Sequence, residues 1–139
     1  MEKALILDAS IAVKWFTAEP LRDKALIIRD RYVRGEDLQA PSLLYYEVAN
    51  ALRYNPRFGS ADVRAAIRAL EDPAIIVHEF KGSLASRAIE LAYMYGIMVY
   101  DAAYVALAEM ENATPYTADK EVVAKLMSEN IRHLSEIRS

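Results

Sequence analysis

Ala4-Leu5-Ile6-Leu7, closed by Asp8 and followed by Ala9-Ser10, is the stretch on which the fold turns. Four apolar residues in a row, without alternation, describe a strand covered on both faces, as in parallel sheets flanked by helices. A carboxylate directly after such a strand stands at the edge of the sheet where open α/β folds carry their chemistry. Short apolar segments at 38–40, 75–80, 114–117 and 131–134 repeat the strand signal. Segments of helical character at 10–16, 20–34, 42–54, 60–72, 83–95, 101–112 and 119–129 separate them. This alternation predicts an α/β chain whose strands form a parallel sheet, covered on both faces by helices that right-handed crossovers put there. Pro20, Pro41, Pro56, Pro73 and Pro115 fall mainly at the proposed joints.

A chain of 139 residues with 54% hydrophobic content can bury one core, so a single domain over 1–139 is expected. The absence of cysteine excludes disulfides and thiolate metal sites. His78 and His133 each fall in a predicted strand, with no second histidine at ligand spacing, so a zinc site is not expected. No signal pattern opens the chain and no apolar run approaches membrane-spanning length, which predicts a soluble, cytoplasmic protein without a membrane partner.

Asp8, Glu47, Asp101 and Asp119 each stand where an apolar segment ends or where a helix should bury its face. Glu47 shares a predicted helical face with Leu43, Leu44, Ala51 and Tyr54, and an unpaired carboxylate there demands a cation or a proton. Arg53 or Lys14 would serve as an ordinary ion-pair partner. Asp101 precedes the apolar run Ala102–Ala108, and Asp119 precedes Lys120–Met127, so helix capping accounts for either one alone. Asp8 has a similar alternative as a cap for the helix near Ser10. Taken together, the four describe an oxygen-only site suited to a hard cation, Mg2+ or Mn2+, and such ions suit phosphodiester hydrolysis. Ser10 and Thr117 lie two residues from Asp8 and Asp119, where their hydroxyls would orient a carboxylate. Each is also an ordinary cap or turn residue. An Asp-x-Asp-x-Thr motif after the first strand, paired acids of the receiver type and a glycine-rich phosphate loop are all missing.

The net charge of −3 argues against a nucleic-acid partner until its distribution is considered. Neutralising the four carboxylates with cations would turn the balance weakly positive. Arg53, Arg57, Arg64 and Arg68 follow one another along two predicted helices and their linker, giving a candidate surface for a phosphate backbone, with Lys14 as a further route. The alternative is a solvated helix face in which Arg64 and Arg68 pair with Asp62, Glu71 or Asp72. Tyr45, Tyr46, Tyr93, Tyr95, Tyr100 and Tyr104 crowd around the acid-bearing helices, as packing residues or as a self-association face. Trp15 and Phe16, with Leu26, Ile27, Ile28, Tyr32 and Val33, predict a groove between two helices that would accept the apolar face of a partner helix.

Asp8-Ala-Ser-Ile-Ala-Val-Lys-Trp-Phe16, Ala40-Pro-Ser-Leu-Leu-Tyr-Tyr-Glu-Val-Ala-Asn-Ala-Leu52, Tyr100-Asp-Ala-Ala-Tyr-Val-Ala-Leu-Ala-Glu109 and Tyr116-Thr-Ala-Asp-Lys120 resemble, in order, the four motifs of PIN-domain ribonucleases. The match is nearest to VapC-type toxins of toxin-antitoxin pairs. The resemblance implies a PIN-like three-layer fold with a five-stranded parallel sheet flanked by helices. It further implies a Mg2+- or Mn2+-dependent endoribonuclease with catalytic, metal-holding acids at Asp8, Glu47, Asp101 and Asp119. An RNA substrate, a homodimer and a small cognate antitoxin are the implied partners. A PIN nuclease of RNA processing without an antitoxin, and a non-catalytic RNA-binding module, are the alternatives.

Overall fold

The computed structural model describes residues 4–71, 75–126 and 131–138. Strand β1 (Ala4–Ile6) is buried throughout and leads into a short helix α1 (Ala9–Ala12), continued by a 3-10 turn at Val13–Trp15. Helix α2 (Arg22–Val33) then returns the chain to β2 (Asp37–Pro41). Helices α3 (Leu43–Arg53) and α4 (Ser60–Glu71) form the next crossover, to β3 (Ile76–His78). After α5 (Gly82–Tyr95) and α6 (Val99–Met110) come β4 (Tyr116–Thr117), α7 (Lys120–Lys125) and β5 (Arg132–His133). All described strand pairings are parallel.

One expectation needs correction. Among the described residues the strands form a three-stranded sheet in the order β1-β2-β3 and a separate two-stranded pair, β4-β5, rather than one five-stranded sheet. Local hydrogen bonding limits what the β4 segment can offer a neighbour. The Ala118 N–H donates to Ser10 Oγ at 3.1 Å and the Asp119 N–H to Thr117 Oγ1 at 3.2 Å, so side chains take backbone donors just past β4. Pro115 has no N–H to offer, and its carbonyl accepts from the Arg132 N–H on the β5 side at 3.0 Å. Ser10 and Thr117 nevertheless tie the two pieces together, their hydroxyls lying 3.4 Å apart.

Helix α6 is the central element, with residues 102–108 all buried. It packs on α5 and against β1 and β2. Arg87 of α5 clamps Glu109 of α6 with two bonds of 2.8 and 2.9 Å. The buried stripe of α3 is Leu44, Val48 and Leu52, spaced four residues apart. Glu47 therefore flanks the stripe instead of lying within it, and Ala51 and Tyr54, expected to share its buried face, are exposed. Trp15 is also corrected: it is buried and its indole N–H donates to the Ala25 carbonyl at 2.9 Å, which closes the expected groove between α1 and α2. Ile28 is core and Val33 is exposed. The continuation of α7 to residue 129, and Asp72 as an arginine partner, lie outside the described residues.

Candidate active site

Asp8 follows β1 in an extended conformation and serves as N-cap of α1, accepting from the Ser10 N–H at 2.6 Å. Asp119 plays the same part for α7, its Oδ1 accepting from the Glu121 and Val122 N–H groups at 2.9 and 3.3 Å. Capping and ligation are compatible, because a carboxylate has about four lone-pair sites and a cap uses only one or two. Asp101 is different. Met98 occupies the N-cap position of α6 without a side-chain cap bond and the helix begins at Val99, so Asp101 is the third helical residue and not the N-cap. Glu47 projects from α3 and accepts a 2.7 Å hydrogen bond from the Tyr104 hydroxyl.

The electrostatics show that these groups feel one another. Burial pushes the Asp8 carboxyl above its ordinary range; hydrogen bonds from Ser10 and Thr117 act against the shift, and the Asp119 charge adds to it. Burial also raises Glu47, with Tyr104 opposing and the charges of Asp8 and Asp101 contributing. Asp101 is pushed up to about 6, first by burial and then by Asp8 and Asp119, while Lys125 pulls the other way. The Tyr104 phenol is held far above its usual range by burial and by the charges of Asp8 and Glu47. Four acids from four separate helices thus form one electrostatically coupled cluster. Neither Arg53 nor Lys14 neutralises Glu47: Arg53 lies over the Tyr54 ring at 5.3 Å, and Lys14 pairs with Glu19 at 3.4 Å.

Among the described residues, no three acidic, histidine or cysteine side chains are gathered closely enough to enclose an ion. That spacing fits the chemistry of this donor set. Like charges hold one another apart, and Mg2+ usually keeps several waters while bonding directly to one or two carboxylates. Asp8, Glu47 and Asp101 are oxygen donors with raised pKa values, the condition a divalent cation would relieve. Ser10 and Thr117, expected to orient a carboxylate, hydrogen-bond Asp8 and also hold the backbone of the β4–α7 turn through their hydroxyls.

The histidines are occupied elsewhere. His78 Nε2 meets Gln39 Oε1 at 2.5 Å, and His133 hydrogen-bonds Ser135 and the Ala118 carbonyl. The arginines form a second region. Arg53, Arg64 and Arg68 border a groove of about 720 Å3 between α3 and α4, whose floor includes Phe58, Val63 and Ile67. Arg64 donates to Ser60 Oγ at 2.6 Å, and Asp62 accepts instead from the Gly59 N–H. Arg57 is exposed. Lys14 stands apart from these four, in a pocket beside Asp119. Tyr104, expected as a packing residue or part of a self-association face, instead donates to Glu47; its position three residues after Asp101, on the same face of α6, is the signal in the sequence.

A PIN-domain family model matches residues 5–126. The chain is 34% identical over 127 residues to Ribonuclease VapC3 of Pyrobaculum aerophilum, covering 87% of this chain and 93% of that protein. It superposes on the crystal structure of PAE2754 from Pyrobaculum aerophilum with a TM-score of 0.66 and 24% identity, over 95% of this chain and 90% of the other. A toxin-antitoxin complex from Klebsiella pneumoniae contains a similar fold, with a TM-score of 0.66 and 15% identity over 87% of this chain and 91% of that one.

Proposed function

The chain belongs to the PIN-domain family, and on that premise we propose that it is a metal-dependent endoribonuclease and the toxin of a toxin-antitoxin pair. One observation carries the reading: four carboxylates from separate helices are electrostatically coupled, and three of them are pushed toward holding protons. Mg2+ or Mn2+ supplies charge stabilisation at the phosphate and an activated water when bound. Asp8, Glu47 and Asp101 would hold the principal ion. Asp119 would support a second ion or position the attacking water, and Ser10 and Thr117 fix the turn that carries it. Tyr104 orients Glu47 by donating to it.

The name of the Pyrobaculum relative and the Klebsiella complex support the RNA substrate and the small antitoxin partner respectively. A homodimer, a cytoplasmic location and one functional domain over 1–139 complete the reading. Among the described residues no helix is long and apolar enough to cross a membrane. Arg53, Arg57, Arg64 and Arg68 hold the phosphate backbone, with Lys14 nearer the acids. Replacing Arg64 and Arg68 together weakens binding of every RNA alike and lowers the salt dependence by roughly one to two units of slope; an unchanged slope removes them from the RNA path.

The deciding assay incubates purified protein with total RNA and Mn2+ or Mg2+, then maps the cut ends. Cleavage that requires the metal and disappears in Asp8→Asn is expected. Metal-independent cleavage, or equal cleavage by Asp8→Asn, overturns the proposal.

A further inference from the structure

Beside the acid cluster lies a pocket of about 370 Å3, bordered by Asp119 and Ser10 on the side of the site and by Lys14, Glu19 and Asn55 on the other. Its volume lies at the low end for small-molecule sites. Lys14 is 8% exposed, unusual for a lysine, and its one ion pair among the described residues, with Glu19, is long at 3.4 Å. A buried ammonium with three donors and one stretched partner retains donor capacity toward the pocket. Glu19 is partly exposed and is steadied by the buried Thr17 hydroxyl, which donates to its Oε2 at 2.8 Å. Asn55 spends its carbonyl oxygen on the Arg57 N–H at 2.9 Å, leaving its amide N–H groups as donors. Leu52 and Val13 supply apolar wall.

Resting on the nuclease reading, we propose that this pocket binds a guanine base of the RNA next to the phosphate that is cut. Guanine carries an acceptor, O6, beside two adjacent donors, N1–H and N2–H. A lysine next to a carboxylate matches that order: Lys14 donates to O6 and Glu19 accepts from N1–H and N2–H, while Asn55 is a further donor on the pocket wall. Adenine and cytosine present an amino donor and a ring acceptor in the reverse order. Uracil offers one N–H flanked by carbonyls, one of which would face the carboxylate. Asp119 borders both the pocket and the acid cluster, so a base seated here brings its own phosphate to the carboxylates. The pocket is thereby a specificity element of the same site, built on the loop after α1 and the end of α3.

Binding of guanosine, adenosine, cytidine, uridine and inosine 5′-monophosphates to the metal-free protein tests the pocket without requiring turnover. The guanine nucleotide should bind roughly tenfold or more tighter than the others, inosine included because it lacks the 2-amino group. Glu19→Gln should remove that preference. Mapped cut sites should carry guanine at a constant position beside the cut, and the Glu19→Gln protein should lose the preference there. Equal binding of all five nucleotides, or none, overturns the pocket assignment. So does cleavage without guanine at the cut, which leaves the nuclease reading standing; guanine-selective binding with no metal-dependent cleavage would instead sink the nuclease reading alone. A Glu19 that served only to neutralise Lys14 would change stability in the variant and leave base preference untouched.

Discussion

Two polar clusters lie along α6, and they are built on opposite principles. Near its C-terminal end the Gln39 amide donates to Glu111 Oε1 at 2.6 Å, and its carbonyl meets His78 Nε2 at 2.5 Å. Because the amide nitrogen is committed to Glu111, Gln39 Oε1 must accept, which makes His78 Nε2 the donor. Donors and acceptors alternate along this line of three side chains. At the N-terminal end, about ten residues or 15 Å away along the helix, Asp8, Glu47, Asp101 and Asp119 offer acceptors and like charges. Tyr104 and backbone caps satisfy only part of that capacity. A polar group buried for stability is matched within the fold, whereas one kept for a ligand is left with unused capacity and a shifted pKa.

The largest expected effect separates the clusters by activity. Asp8→Asn and Asp101→Asn should each reduce metal-dependent RNA cleavage by roughly a thousandfold, the loss of several kcal/mol of transition-state stabilisation. Metal-free Asp8→Asn should be no less stable than the parent protein, since removing one like charge offsets its lost hydrogen bond. A clear drop in its unfolding temperature would mean that the acid cluster stabilises the fold as the Gln39 chain does.

Ligand linkage should give the next effect. Mn2+ or Mg2+ at a hundredfold excess over its dissociation constant stabilises a protein by about 2.7 kcal/mol. The resulting rise in melting temperature should vanish in Asp8→Asn and survive in Gln39→Leu. Survival of the rise in both Asp8→Asn and Asp101→Asn would refute a shared site. Gln39→Leu itself should cost about 1–3 kcal/mol, because it leaves His78 and Glu111 unpartnered in a half-buried setting. Denaturant unfolding measures that cost, and cleavage per folded molecule should be retained.

The smallest effect is a pH dependence confined to the acid cluster. Asp101 has a pKa of about 6 in the fold against an ordinary 3.8, so between these values the folded chain holds a proton that the unfolded chain has released. Stability of the metal-free protein must therefore fall as pH rises through that window, and Asp8 and Glu47 act in the same direction. Thermal unfolding in chelator should give a higher melting temperature near pH 5 than near pH 7, with the difference reduced in Asp101→Asn. A melting temperature that instead rises over this interval would contradict the coupled cluster.

Much of the site was legible because its acids are tied to local patterns. Asp8 follows an unbroken apolar strand, and Asp119 sits before a helix. Their capping bonds are short-range, so sequence neighbours suffice to predict them. Asp101 reads as a helix start, but the helix begins two residues earlier at Val99, because the apolar run Ile97–Tyr100 holds no capping residue to mark the boundary. Glu47 was assigned to a buried face, but the stripe that packs is Leu44, Val48 and Leu52. Its real partner, Tyr104, lies 57 residues away in the chain. Trp15 looked like surplus apolar surface until the Ala25 carbonyl met its indole N–H.

Local sequence by itself determined the order of strands and helices, the candidacy of the four acids and the lack of thiolates, because periodicity, capping and composition act over a few residues. Tertiary structure decided what stands next to what. It set β4 and β5 in a parallel pair of their own beside the three-stranded sheet, and it coupled the charges of four acids. It also set Lys14 and Glu19 in one pocket beside Asp119. Desolvation and Coulomb energies depend on distances through space, which no spacing along the chain encodes.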